Sequence, residues 1–331
     1  MTKVQCTVLA LLTGASALSA EVADSWTEGD GACNLQTRVE QAESDYVPGL
    51  VEQFLQAPLP SPNRNLTSEN PVVFLHQARA AGTSLRKLIS NSSRNLGLKA
   101  HIPCYGGVGC NDFRLEGDAA VYAGHFCWED AQRSLKAKGA KEVGCLTSFR
   151  EPVPRIMSCY SDRLVGSEHV APACMGDLGL QLAALRGTFE SSASTKDLSV
   201  DNLKKLLVDR GCVNEPFRRF SECQPNSTVS MIDTKARQAA WQNTLTYMSQ
   251  CVPIILGRQV SLKVAANHFP QLADAIWDMK SLAVNRNTHY LNQGECHVPD
   301  SHMEAIKELA ESETMLYEAA VKRMWQLMLK V

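Results

Sequence analysis

The feature that most constrains this chain is an alternation of short apolar runs with helical patterns, starting at Val72. Val72–His76, Ala119–Gly124, Val143–Phe149 and Val252–Leu256 are almost continuously apolar. Runs without an inside–outside alternation are buried on both faces, as the strands of a parallel sheet are. Between them lie segments with helical spacing, such as Leu85, Leu88 and Ile89. Another runs from Pro152 to Leu164, with proline suited to a first helical turn. The pattern predicts an α/β protein with a central, mainly parallel sheet flanked by helices. The tail from Asp300 to Leu329 reads as a long amphipathic helix, broken once near Ser312.

Composition narrows the function classes. The 331 residues are 44% hydrophobic and 21% charged, which is ordinary for a globular protein. A formal charge of −2 gives no whole-molecule attraction to nucleic acid or to an anionic membrane. An anionic ligand must then be held by a local cluster of groups.

The start of the chain, "MTKVQCTVLALLTGASALSA", places a lysine, a short apolar run and then small residues in sequence. That is the layout of a secretory signal over residues 1–20, with an uncleaved membrane anchor as the alternative. Residues 21–70, rich in Pro, Asn and Ser towards their end, read as a stem or linker, and 71–331 as the ordered domain. Sequons at Asn65, Asn91 and Asn226 and a total of twelve cysteines agree with an oxidising lumen. Sequence proximity favours Cys104–Cys110 and Cys212–Cys223 as local bridges, although spacing does not fix connectivity.

Two segments carry candidate chemistry. In "VVFLHQARAAGTSLRKLIS", a strand ends at His76 and a small-residue turn leads through Gly82, Thr83 and Ser84 into a helix. Backbone N–H groups at such a helix start, aided by the helix dipole, favour an anion such as phosphate. The same turn also serves as a plain βα connection capped by Thr83 or Ser84. It is not a Walker A loop, because no Gly-Lys-Ser/Thr run is present. In "LTSFREPVPRIMSCYSDRL", Arg150 stands at the end of a buried strand, with Arg155, Ser158 and Tyr160 on the following helical turns. The carboxyl ends of parallel strands are where α/β sheets bind ligands, so Arg150 and Ser158 can share one phosphate. Alternatively Arg150 pairs with Glu151 or Asp162 on the surface.

Together these segments resemble the Golgi carbohydrate sulfotransferases of the heparan sulfate 2-O/6-O type. "FLHQARAAGTSLRKLI" is similar to that family's 5′-phosphosulfate loop, and "SFREPVPRIMSCY" to its 3′-phosphate segment. "YAGHF" resembles the Gly-His strand end that carries the catalytic base. Looser likenesses are "CVPIILGRQVSLKVAANHFPQL" and "ETMLYEAAVKRM", so the match spans about residues 71–326.

The resemblance implies a P-loop-like sulfotransferase fold and transfer of a sulfuryl group from 3′-phosphoadenosine 5′-phosphosulfate (PAPS) to a carbohydrate hydroxyl in the Golgi lumen, with no metal. It implies His125 as general base and donor contacts from Arg79, Ala81, Gly82, Thr83, Ser84, Arg150 and Ser158. Arg79 stands where the family has a lysine on the leaving-group oxygen, and Ala78 and Ala81 replace a proline and a glycine. The alternatives are a relative that binds nucleotide or glycan without turnover, and a P-loop kinase-like protein.

Other motifs are less specific. "GECHVPDSH" gathers Cys296, His297, Asp300 and His302 but matches no standard zinc spacing. "PFRRF" places Arg218 and Arg219 between aromatics, either against an anionic glycan or as a solvated pair. No G-x-S-x-G elbow supports a serine hydrolase.

Overall fold

The computed structural model describes residues 46–103, 115, 117–165, 199–209, 211–223, 234–279 and 300–330. The signal segment 1–20, the first part of the stem, the Cys104–Cys110 pair, Asn226 and Cys296–His297 lie outside these residues, as does the Tyr160 side chain. The chain divides into two compact units, Met1–Glu52 and Gln53–Val331. Of the first, residues 46–52 are described, and they are helical.

The second unit is built on five parallel strands: β1 (Val72–Leu75), β2 (Ala100–His101), β3 (Val121–Gly124), β4 (Gly144–Phe149) and β5 (Cys251–Ile255). Their order across the sheet is β2-β3-β1-β4-β5. The four apolar runs of the sequence are therefore strands, each within a residue or two of its expected ends. Every residue of β1, β3, β4 and β5 is buried, as two covered faces require.

The crossovers are helices. Those described are α1 (Gly82–Asn95), α2 (Trp128–Ala137), α3 (Pro152–Val165), α4 (Val200–Asp209), α5 (Thr234–Met248), α6 (Gln259–His268), α7 (273–279) and α8 (Asp300–Met328). Pro152 opens α3 as expected. α8 runs without the break expected at Ser312. Its buried residues continue through Ala310, Glu313 and Leu316, and no proline or glycine interrupts them. The main core joins Phe74, Leu146 and Ile254 of the sheet to Leu85 and Ile89 of α1 and Val264 of α6. A second core joins Ile156, Leu203, Leu207 and Ile306 under α3, α4 and α8.

Residues 57–70, the end of the segment read as a stem, are strapped along this unit. Asn63 and Arg64 donate their backbone N–H groups to Asn267 and His268 carbonyls at 3.0 Å. Leu66 is 2% exposed and belongs to the main core. Arg323 of α8 donates to the carbonyls of Ala57 at 2.8 Å and Pro58 at 2.6 Å.

Two disulfides are described. Cys145–Cys251 links β4 to β5 at directly paired positions. Cys127–Cys223 ties the residue before α2 to the end of a helical turn at Arg218–Glu222. The expected Cys212–Cys223 bridge is thus replaced: Cys223 is brought to the β3 exit by its turn, and Cys212 is itself disulfide-bonded. Sequence distance misled here because the fold brings Cys223 to Cys127, 96 residues away. Such bonds fit an oxidising, secretory-type environment.

Candidate functional site

The strand order creates the site. The chain leaves β1 towards β2 on one side and leaves β4 towards β5 on the other. A crevice opens at the carboxyl ends of strands where direction reverses in this way. Leu75 pairs with both Gly124 and Thr147, so the exits of β1, β3 and β4 lie together. Those exits carry His76–Ala81, His125 and Arg150.

The β1–α1 loop is held in an uncommon shape. Arg79 and Ala81 have φ of 65° and 57°, a left-handed conformation that costs a non-glycine residue about 1 kcal/mol or more. Neighbouring elements fix it. Ser148 Oγ donates to the Ala80 carbonyl at 2.7 Å, Gln77 Nε2 to Thr147 Oγ1 at 3.2 Å, and Ala78 N–H to Glu215 Oε1 at 2.9 Å.

Gly82 is obligatory for a different reason. A β-carbon there would lie 1.6 Å from Cδ2 of His76, so only glycine lets that ring tuck against the first turn of α1. The expected capping of α1 by Thr83 or Ser84 is not what the helix does. Ala81 is its N-cap, without a side-chain cap bond and without an acidic residue in the first turn. Thr83 is exposed and Ser84 half-buried on that turn. A helix start without a capping side chain or acidic residue offers its dipole and amides to an anion.

The two histidines stack. The His76 and His125 rings lie 3.9 Å apart between centroids at 24°. His125 Nδ1 donates to the His76 carbonyl at 2.9 Å, so Nε2 is the basic nitrogen of the neutral ring. Nδ1 of His76 accepts from Arg86 Nη1 at 3.3 Å. Burial, then the positive charges of His125, Arg86 and Arg219, hold the proton affinity of His76 well below that of an ordinary imidazole. His76 therefore stays neutral.

Across the crevice the second segment folds onto the first. Arg79 Nε donates to Ser158 Oγ at 3.1 Å, and Arg150 Nη1 to the Arg79 carbonyl at 3.4 Å. The Asp162 side chain lies outside the described residues, and Arg150 is partly buried against this loop. Burial, then the like charges of Arg79 and Arg155, lower its proton affinity, with Glu151 opposing. Such crowding of cations is relieved by a bound anion. Arg79, Arg150 and Ser158 thus form one cationic corner.

A node that sequence reasoning missed lies behind the loop. Glu215 is fully buried and takes Arg219 Nε at 2.7 Å and Arg218 Nη2 at 3.0 Å. Burial pushes its carboxyl up, but the charges of Arg219, Arg218, Arg155 and His125 outweigh this and hold it well below the usual carboxylate range. Arg219 Nη1 also donates to the His125 carbonyl. Arg218 and Arg219 are 7% and 8% exposed, so "PFRRF" is neither a solvated pair nor a glycan-facing patch. The signal was present in the sequence as Glu215 placed three and four residues before the arginines.

No family model matches the chain, and no curated protein matches it.

Proposed function

We propose that this protein is a PAPS-dependent sulfotransferase acting on a carbohydrate hydroxyl in the lumen of the Golgi, on a P-loop-like sulfotransferase fold. One observation carries the reading. An anion loop at the exit of β1, a histidine at the exit of β3 and an arginine–serine corner at the exit of β4 meet at one switch point of a parallel sheet. The 3′-phosphate is what distinguishes this donor from ATP-like nucleotides, and the Arg79–Arg150–Ser158 corner has the charge and donors to receive it. The start of α1, at Ala81, Gly82, Thr83 and Ser84, would hold the 5′-phosphosulfate.

Sulfuryl transfer requires in-line placement, a base and stabilisation of charge on the leaving phosphate. The acceptor oxygen attacks sulfur while its proton moves to Nε2 of His125. The bond from sulfur to the donor phosphate breaks, leaving the 3′,5′-bisphosphate. Neutral His76 beneath His125 keeps the proton on one defined ring.

Calorimetric titration with adenosine 3′,5′-bisphosphate tests the donor site. Wild type is expected to bind it more tightly than ATP, and Arg150→Ala to weaken it about tenfold or more. Equal binding by the two proteins would overturn the assignment. Transfer of labelled sulfate from PAPS to a polysaccharide panel tests the chemistry, with His125→Ala expected to lose about 10²-fold or more. Tight bisphosphate binding without transfer to any acceptor would instead favour a binding-only relative.

A further inference from the structure

We infer that Glu215 is a positioning residue for this site: it anchors the donor loop and supplies the buried counter-charge for the imidazolium that His125 becomes when it accepts the acceptor's proton. The inference rests on the sulfotransferase reading for its role in transfer, but its geometry stands independently. A single carboxylate reaches both halves of the site. It accepts the Ala78 N–H at 2.9 Å, two residues after His76, and binds Arg219, which in turn donates to the His125 carbonyl. The Cys127–Cys223 disulfide closes the same connection covalently, two residues beyond His125.

The charges around the two partners explain why a carboxylate is required. Glu215 is paired with Arg218 and Arg219 on its own turn, and the charges of Arg155 of α3 and His125 at the exit of β3 also act on it. His125 faces neutral His76, which is flanked by Arg86, and the Arg219 guanidinium holds its carbonyl. Arginines outnumber carboxylates in this surrounding. Without Glu215, a positive charge arriving on His125 would lose a carboxylate that offsets the charges of Arg219, Arg218 and Arg155 in a low-dielectric setting. Unlike the aspartate of a serine-protease triad, Glu215 sits behind the backbone that carries the base, leaving the Nδ1 position of His125 to the His76 carbonyl.

The test reads the titration of His125 by NMR of isotope-labelled imidazoles in the full chain without donor or acceptor, the signal being identified by its loss in His125→Asn. Glu215→Gln keeps an acceptor for Ala78 but removes the charge, and is expected to lower the His125 midpoint by about one pH unit. Arg219→Met leaves Glu215 paired with Arg218 and is expected to raise it. Movements in opposite directions are not produced by general loosening of the fold. An unchanged midpoint in both, a shift of both in the same direction, or loss of the fold in both overturns the proposal. Where transfer is measurable, Glu215→Gln is expected to cut kcat about tenfold with donor KM changed less than about threefold. The acidic limb of its pH profile is expected to move to lower pH. Because the titration needs no turnover, it separates failure of this inference from failure of the sulfotransferase reading.

Discussion

Glu215 and Glu313 are both closed off from solvent, both bound by arginine, and displaced in opposite directions. Glu313 of α8 receives Arg155 Nη2 at 2.7 Å and Nε at 3.0 Å, a bidentate pair, plus the Asn214 N–H at 2.5 Å. Burial nevertheless pushes its carboxyl up, because one arginine answers for it and Glu215 repels it. Glu215 answers to three arginines and a histidine, and is pulled down. The same residue type in the same degree of burial thus serves two purposes. Glu313 ties α3 to α8 and to the Cys212 segment, whose carbonyl also takes Arg155. Glu215 ties two halves of a candidate site. Burial alone does not set the direction of a carboxylate's displacement; the number of positive charges around it does.

The comparison breaks most visibly at Arg155. Arg155→Met leaves Glu313 buried without its partner and is expected to lower stability by about 3–5 kcal/mol. Replacing both residues by apolar side chains is expected to restore most of it, with urea denaturation as the measure. A loss below about 1 kcal/mol would mean that the pair holds nothing together. A smaller effect is expected for Gly82→Ala, at about 1–3 kcal/mol, because the new methyl must displace the His76 ring. That variant is also expected to weaken bisphosphate binding.

The smallest effect separates the two carboxylates by pH. The folded Glu215 carboxyl lies below its ordinary 4.5, so its contribution to stability is present above that value and lost progressively as pH falls from there through the depressed folded value. The folded Glu313 carboxyl lies above 4.5, so it costs stability as pH rises beyond that value and the cost disappears in acid. Urea midpoints from about pH 3 to 7 are expected to show a flattened acid limb in Glu215→Gln. In Glu313→Gln, stability is expected to fall less as pH rises above 4.5. The same change in both variants would contradict the opposed displacements.

Much of the scaffold was legible because it is written locally. Four strands announced themselves as apolar runs, and Pro152 marked its helix start. β2 did not, because Ala100–His101 is two residues long at the sheet edge and not fully buried. The loop and the Arg150 segment stood out by pattern and His125 through the resemblance, but the contacts between these segments were not legible. Arg79 meets Ser158 across 79 positions, and Glu215 meets Ala78 across 137. Contacts at such separations are decided by strand order, which no local spacing encodes. The Cys127–Cys223 pairing escaped for the same reason, since it joins residues 96 apart.

The Cys145–Cys251 bond between paired positions of neighbouring strands has a consequence for how the chain is made. It closes a separation of 106 residues, so β4 waits for a strand that emerges much later. A slip of one residue in β5 would turn Cys251 to the opposite face of the sheet and leave both sulfurs unjoined. Oxidation therefore proofreads the sheet: thiol content reports, chain by chain, whether the last strand has docked in the correct register beside β4.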